Sequence, residues 1–458
     1  VTYWTVRALE APAAEAQKGK YLRQIMSGNW SATMNLTEPQ AGSDVGAVKT
    51  KAEPQPDGTY KIYGTKIYIT YGDHNMTENI IHLVLARTPD APEGTKGISL
   101  FIVPKFFVND DGSLGDRNDV KCIGLEDKLG IHASPTCVMS FGENDGATGW
   151  LIGAKNKGMA AMFTMMNNAR LNVGIQGVGL AEQATQIAMS YAADRVQGRA
   201  PDAQRGENTP VAIASHPDVR NMLMTMRALT DAARAICYAN GVFHDLAHFA
   251  DDDKAKAFNE LLTPISKAFS TDIANEVSSL GVQIHGGMGF VEETGIAQFV
   301  RDAKILPIYE GTNGIQAIDL INRKLPLANG AIISDYLDHI EETINQCSGE
   351  ETLKELSSAL KNGLADLRVA RDFMLTQPDK LDRLYGATDY LTLFGLVAGG
   401  HYLARGALGT MKTNEMTHKV KTASFFMDRL LPRTKGHLAS ILSTKEHLDN
   451  EEIFHIVG

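Results

Sequence analysis

The chain has only four cysteines in 458 residues, Cys122, Cys137, Cys237 and Cys347, and none stand at the close spacing of a metal knuckle. A cysteine-built metal site is therefore excluded. Free thiols in a reducing compartment are expected, which points to the cytoplasm. Long apolar runs are missing too: no stretch approaches the ~20 consecutive apolar residues that a membrane-crossing helix needs. The opening Val1-Thr2-Tyr3-Trp4 is not a signal peptide and has no initiator Met, so residue 1 is not expected to be the native start. Basic charge is in deficit, with 44 Lys and Arg against 54 Asp and Glu and a net charge of −10. That argues against nucleic acid as a partner, while local basic clusters could still hold a phosphorylated small ligand. No internal repeat or low-complexity tract stands out.

What remains is an ordinary globular composition, 43% hydrophobic and 21% charged. The length is too great for one core, and about two to four domains are expected. Residues 1–30 read as a helix and its exit, stopped by Ser27-Gly28-Asn29. Residues 31–150 change character. Tyr60–Thr70 reads as strand, tight turn and strand, and Ile80–Leu85, Ile98–Val103 and Thr136–Phe141 are short β-type runs between Gly, Pro and Asp clusters. An antiparallel β domain, a barrel or sandwich, is expected.

From about residue 155 the period becomes helical, within a section taken as 151–326. Met159, Met162, Phe163 and Met166 share a face that Leu171, Ile175 and Val178 continue. Residues 200–211 read as an exposed loop. Helices are expected to resume at His216 and at Thr263-Pro264, read as an N-cap and a first-turn proline. Leu325-Pro326 closes this four-helix section. Residues 327–458 read as a further helical domain. There Leu353, Leu356, Leu360, Leu364 and Leu367 form a packing stripe, and Gly395, Gly399 and Gly400 permit a close neighbour. Two lesser signals have bland readings. Gly174-Ile175-Gln176-Gly177-Val178-Gly179 has no strand before it, so close helix packing is preferred to a nucleotide loop. His244 and His248 have the spacing of a zinc pair, but no third ligand is in view and a solvated helix face is preferred.

The run Tyr309-Glu310-Gly311-Thr312-Asn313-Gly314-Ile315-Gln316 places one carboxylate in a Gly-flanked break after the apolar Ile305, Leu306 and Ile308. Burial would lift its pKa from about 4.3 toward neutrality, as a general base needs. A solvated loop is the competing reading. Far upstream stands Leu36-Thr37-Glu38-Pro39-Gln40-Ala41-Gly42-Ser43-Asp44. Its hydroxyls and main-chain NH groups could bind a ligand, or it could be a plain β-turn.

Together these runs resemble two segments of the acyl-CoA dehydrogenase family, its Thr-Glu-Pro-x-Ala-Gly-Ser-Asp flavin segment and its Tyr-Glu-Gly-Thr base segment. Lys66–Thr70, Lys128–Ser134 and Gln283–Phe290 are similar to three more, in the same order. The tail and the Asp73–Asn79 insert look most like the large members. The resemblance implies an α+β fold. An antiparallel β-barrel or sandwich (31–150, flavin and substrate binding) would be followed by a four-helix bundle with the catalytic base (151–326) and an additional C-terminal helical domain (327–458). Residues 1–30 would be the end of the family's N-terminal helical domain, the rest of which is missing here.

The resemblance also implies the chemistry. FAD would be the cofactor and an acyl-CoA the substrate. Glu310 would take the α proton while FAD N5 accepts the β hydride, giving the trans-2-enoyl-CoA. Leu36, Thr37, Gly42, Ser43, Tyr68, Ile69, Thr70, Arg195, Gln283, Gly286, Gly287, Thr312 and Asn313 would touch FAD. Tyr68 stands where the family usually has Trp. Ser43, Asn167, Arg170 and Gly311 would touch substrate, Gly311 by letting the CoA chain approach the backbone. Arg170 could instead cap a helix or pair with an acidic neighbour. Asn167 replaces the family's common Asp, and Pro217 stands where a flavin-contacting Gln is common. Electron-transfer flavoprotein is the implied acceptor, and a homodimer or dimer of dimers the implied assembly. No metal, nucleic acid or membrane span is expected. Rival readings are an acyl-CoA oxidase using oxygen, a flavin monooxygenase, which typically lacks the base, and a non-catalytic flavin-fold assembly protein.

Overall fold

In the computed structural model, residues 2–10, 13–204, 208–411 and 418–443 are described. Their contacts divide the chain into two compact units, residues 1–169 and 170–458. The first opens with helix α1 (Thr2–Glu10) and a helical run over 15–26. Strands follow: β1 (Trp30–Asn35), β2 (Lys51–Pro54), β3 (Tyr60–Thr70), β4 (Asn79–Arg87), β5 (Ile98–Pro104), β6 (Phe106–Val108), β7 (Leu114–Arg117), β8 (Val120–Leu125), β9 (Thr136–Phe141) and β10 (Ala147–Ile152). The main sheet runs β1-β4-β5-β10-β3-β9-β8, with β2 alongside β3 and β4.

Strands β4 and β5 are apolar on both faces, and the alternation explains why. Ile81, Leu83, Leu85, Leu100 and Ile102 point into one core with Trp30 and Met162. Val84, Ala86, Phe101 and Val103 point into another with Ile62, Ile69, Met139 and Phe141. A strand covered on both sides loses its polar alternation. One expectation needs correcting. β1 pairs with β4 in parallel, Trp30 against Asn79 through Asn35 against Val84, so the sheet is not wholly antiparallel. The apolar pattern that marks a buried strand is blind to its direction.

The second unit is helical. The boundary falls inside helix α2 (Gly158–Asp194), which is followed by α3 (Pro217–Phe249), α4 (Asp253–His285) and α5 (Asn313–Asp319). Gly174 and Gly177 lie in α2. A Cβ on them would stand 2.4 Å from the Ser266 carbonyl oxygen and 2.8 Å from that of Ser270, so these glycines serve close helix packing. The region expected as a loop over 200–211 is flanked by a two-stranded ribbon, β11 (Val196–Arg199) and β12 (Pro210–Ala212), and 205–207 lie outside the described residues. Thr263-Pro264 does not start a helix. α4 begins at Asp253, capped by Asp252 Oδ1, which accepts from the Ala255 NH at 2.9 Å. Pro264 sits inside it, where burial of the surrounding turn outweighs the missing NH.

The chain leaves this section through Ala328, Asn329 and Gly330, all at positive φ, beyond Leu325-Pro326. Helices α6 (Ala331–Ser348), α7 (Lys354–Thr376) and α8 (Ala387–Met411) then share one apolar core with α3 and α4 rather than standing apart. The leucine stripe from Leu353 to Leu367 is buried there. Gly395 allows the approach, since a Cβ on it would lie 2.4 Å from the Phe269 ring. Among the described residues no helix is long and apolar enough to cross a membrane.

Candidate active site

In the second unit, Glu310 stands at the apex of a turn closed by the Asn313 NH, which donates to the Pro307 carbonyl at 2.9 Å. Before it, only Leu306 is deeply buried; Ile308 is 59% exposed. Glu310 adopts φ +56° and Gly311 φ +80°. The left-handed conformation disfavours a residue with a Cβ by roughly 1–2 kcal/mol. Such strain outside glycine concentrates at functional sites. Gly311 is needed for its φ and for space, because a Cβ there would lie 2.9 Å from Gln316 Nε2. The turn ends where Thr312 Oγ1 accepts from the Ile315 NH at 3.2 Å and caps α5. Gln316, fully buried, donates Nε2 back to the carbonyls of Glu310 and Gly311, each at 3.4 Å.

The Glu310 carboxylate is poised between opposing influences. Burial pushes its pKa up, while the Arg170 guanidinium and the Lys267 ammonium pull it down, and the net displacement is upward. Its Oε2 is buried with no hydrogen-bond partner among the described residues. Arg170 is itself only 3% exposed and forms an ion pair with Asp319, Nη1 to Oδ2 at 3.1 Å. Asp319 also meets Arg323 Nε at 2.6 Å. The acidic-neighbour reading of Arg170 is therefore what this unit displays. Asn313 is engaged throughout: its Oδ1 accepts from Lys267 Nζ at 2.8 Å, and its Nδ2 donates to Asp272 Oδ1 at 2.7 Å. Burial drives the Tyr309 hydroxyl pKa well up, and that hydroxyl bonds Gln176 Oε1.

Elsewhere in this unit Arg195 is exposed, its Nη2 3.4 Å from Gln197 Oε1. Gln283, Gly286 and Gly287 are exposed at the end of α4. Gly286, at φ +60°, terminates the helix. A Cβ on Gly287 would meet nothing within 4 Å, so the unit's own packing does not require glycine there.

In the first unit, the Thr37–Ser43 turn is held by a buried ion pair that sequence reasoning missed. Glu38 is 4% exposed and Lys66 fully buried, with Lys66 Nζ 2.8 Å from Glu38 Oε1 and 3.0 Å from the Leu36 carbonyl. Glu38 also accepts from the Lys49 NH at 2.7 Å and from the Thr50 NH and hydroxyl at 3.0 and 2.6 Å. Burial would raise the Glu38 pKa, but Lys66 and these donors hold it down at about 2. Burial in turn draws Lys66 down to about 8 against the pull of Glu38. With the turn anchored, Leu36 and Thr37 are half-buried and Gly42 and Ser43 lie exposed.

Next to this turn β3 is irregular. Its pairing with β9 shifts register between Lys66 and Ile69, a bulge. Tyr68 sits in it at φ +61°, 60% exposed. Ile69 is buried and Thr70 half-buried, the latter paired with Thr136. Leu125, 66% exposed, pairs with Cys137, as Ile69 does from the other side, and Leu129 is 64% exposed. The outward ring of Tyr68, beside the anchored turn, suits contact with a flat aromatic group. Asn167, half-buried, lies on α2 before the boundary between units. Among the described residues no three His, Cys, Asp or Glu side chains converge to hold a metal.

Comparison with known proteins adds an independent line. The acyl-CoA dehydrogenase middle domain matches residues 33–143, the acyl-CoA dehydrogenase C-terminal domain residues 156–325, and an acetyl-CoA dehydrogenase C-terminal like domain residues 336–449. The 3-methylmercaptopropionyl-CoA dehydrogenase of Ruegeria pomeroyi is 45% identical, over 98% of this chain and 78% of its own length. Among solved structures, Caenorhabditis elegans ACDH-11 in complex with C11-CoA superposes with a TM-score of 0.81 at 21% identity, covering 99% of this chain and 74% of that one. An acyl-CoA dehydrogenase from Bacillus anthracis complexed with FAD gives 0.76 at 23% identity, covering 98% and 74%. At such identities the two structures speak for the fold.

Proposed function

The chain belongs to the acyl-CoA dehydrogenase family, and from that premise we propose that it dehydrogenates an acyl-CoA thioester between Cα and Cβ with Glu310 as the base. The family comprises FAD-dependent oxidoreductases. The observation that carries the assignment is Glu310 itself: its backbone is strained in the left-handed region, and its Oε2 is buried and free to accept a proton. Bound FAD supplies the acceptor for the β hydride, chemistry no side chain can provide.

The residues of the chain do the rest. Glu310 accepts the α proton, and its main-chain NH is the donor assigned to the thioester oxygen as enolate-like charge develops. Gly311 leaves room for the CoA chain. Arg170 and Lys267 stabilise the carboxylate over the carboxylic acid before proton transfer. Leu36, Thr37, Gly42, Ser43, Tyr68, Ile69 and Thr70 are assigned to the flavin, supported by the exposed Tyr68 ring in the β3 bulge. Exposed Arg195, Gln283, Gly286 and Gly287, with Thr312, are assigned to FAD held between copies of the chain, as a homodimer or dimer of dimers. A stable FAD-loaded monomer in sedimentation would overturn that assembly.

The test of the reaction is an anaerobic titration of the purified flavoprotein with acyl-CoAs of graded length, followed by flavin absorbance. Bleaching by at least one acyl-CoA, with the 2-enoyl-CoA as product, is expected. Flavin that none of them reduces would refute the assignment. Electron-transfer flavoprotein is the proposed acceptor; peroxide formed at the turnover rate in air would instead mark an oxidase.

A further inference from the structure

We propose that Lys267 is a positioning residue for Glu310: a buried ammonium that ties down the start of α5 through Asn313 and keeps the neighbouring Glu310 carboxylate ionised. The inference rests on Glu310 being the base and extends that reading to a residue outside every motif identified in the sequence.

Lys267 is fully buried in α4, among Ile265, Ala268 and Phe269. An ammonium taken out of water is strongly disfavoured unless charge or hydrogen bonds compensate it. Its hydrogen bond goes to a neutral group, Asn313 Oδ1, at 2.8 Å. Among the described residues it forms no ion pair. Its anionic surroundings are Asp272 and Glu310, both acting at a distance and both favouring its charged form. Burial lowers it to about 8, so it remains mostly protonated at neutral pH.

The other charges around Glu310 are offset. Arg170, on α2, is paired with Asp319 at 3.1 Å, and Asp319 with Arg323 at 2.6 Å, both on or after α5. Asp272, on α4, is pushed up by burial and holds Asn313 Nδ2. Tyr309 stays neutral. Among the described residues, Lys267 is thus the cation near Glu310 without a contact counter-ion. Among the described residues, Glu310 Oε2 is a buried carboxylate oxygen without a hydrogen-bond partner, whereas Asp319 Oδ1, also buried, has the Arg323 ion pair. Lys267 and Glu310 each lower the cost of the other's charge at a separation that leaves the carboxylate open to substrate. The Asn313 bridge fixes that separation. Lys267 Nζ and Asp272 hold opposite ends of the Asn313 amide, and Asn313 NH closes the turn that carries Glu310.

The experiment measures anaerobic flavin reduction against pH in wild type, Lys267→Met and Lys267→Gln, with Glu310→Gln as control. Removing the cation disfavours the Glu310 carboxylate. The pH midpoint of reduction is therefore expected to move upward in both neutral variants, and the rate at neutral pH to fall roughly tenfold. FAD content should stay at the wild-type level. Lys267→Gln, which keeps a donor toward Asn313, separates charge from tether. An unmoved midpoint in an FAD-loaded neutral variant overturns the proposal. So does failure of both neutral variants to fold while Lys267→Arg folds, because a purely structural ion would behave that way. Substantial reduction by Glu310→Gln would instead sink the assignment of the base, whatever the Lys267 variants show.

Discussion

Glu310→Gln is expected to slow flavin reduction by an acyl-CoA roughly a hundred- to ten-thousand-fold, the usual contribution of a positioned base. FAD and substrate binding should persist. The substitution keeps side-chain volume and the φ of +56°, which disfavours Gln as much as Glu. It removes only the proton acceptor. With Glu310 as the proposed base, the form expected to react is the ionised carboxylate, so reduction should weaken as pH falls. Because burial lifts this pKa, the midpoint should lie above the ordinary carboxylate range. Stability should move in the opposite sense. A carboxyl whose folded pKa is raised binds more protons folded than unfolded. It therefore withdraws stability as pH rises from the unfolded value toward the folded one. At neutral pH Glu310→Gln should unfold at the same temperature as wild type or higher. Retention of most of the reduction rate would falsify the role of Glu310 as sole base.

That residue was legible in the sequence because its turn is local. Glu310, Gly311 and Thr312 are consecutive, and left-handed glycine and a helix cap leave their mark over a few residues. The residues that set its charge were not legible. Lys267 lies 43 positions upstream and looks like any lysine on an amphipathic helix, until its neighbours Ile265, Ala268 and Phe269 prove buried as well. Arg170 was marked by resemblance, but its ion pair with Asp319 spans α2 and α5 and has no local pattern. The same limit explains the strands. Alternation told which faces of β4 and β5 are buried, but β1 runs parallel to β4, and direction is a property of the connection. The leucine stripe of α7 announced packing, but the partner it shares a core with, α4, could not be named from spacing alone. In the Thr37–Ser43 turn, Thr37, Gly42 and Ser43 draw attention as ligand-binding types. The anchor beneath them, Glu38 with Lys66, bridges 28 positions and was passed over.

Lys66→Met is expected to destabilise the first unit by about 3–5 kcal/mol, the range for breaking a buried ion pair from one side. Glu38 would keep its donors from Lys49 and Thr50 but lose the charge that outweighs its burial. The Leu36 carbonyl would lose its donor as well. Leu36 would then lose its tie to β3, leaving Thr37 held by the Ile67 NH alone at 2.9 Å, and FAD should dissociate more readily from the protein. The pH dependence gives the effect a signature. In the wild type the Glu38 pKa is lowered from 4.5 to about 2, so its stabilising contribution is complete above 4.5 and is lost as pH falls toward 2. Lys66→Met loses much of that contribution at neutral pH already. The gap in melting temperature between variant and wild type should therefore be widest near neutrality and narrow as acid protonates Glu38 in both. Adding Glu38→Gln to Lys66→Met should recover part of the loss, since no buried charge is left unpaired. It should not recover all, because an amide nitrogen cannot accept from the Lys49 and Thr50 donors that two carboxylate oxygens now serve. Melting of the three proteins at neutral and acidic pH, followed by circular dichroism and by release of flavin fluorescence, measures each step. A gap that stays constant with pH would show that Lys66 acts by filling space, and that the charge of Glu38 does not hold the turn.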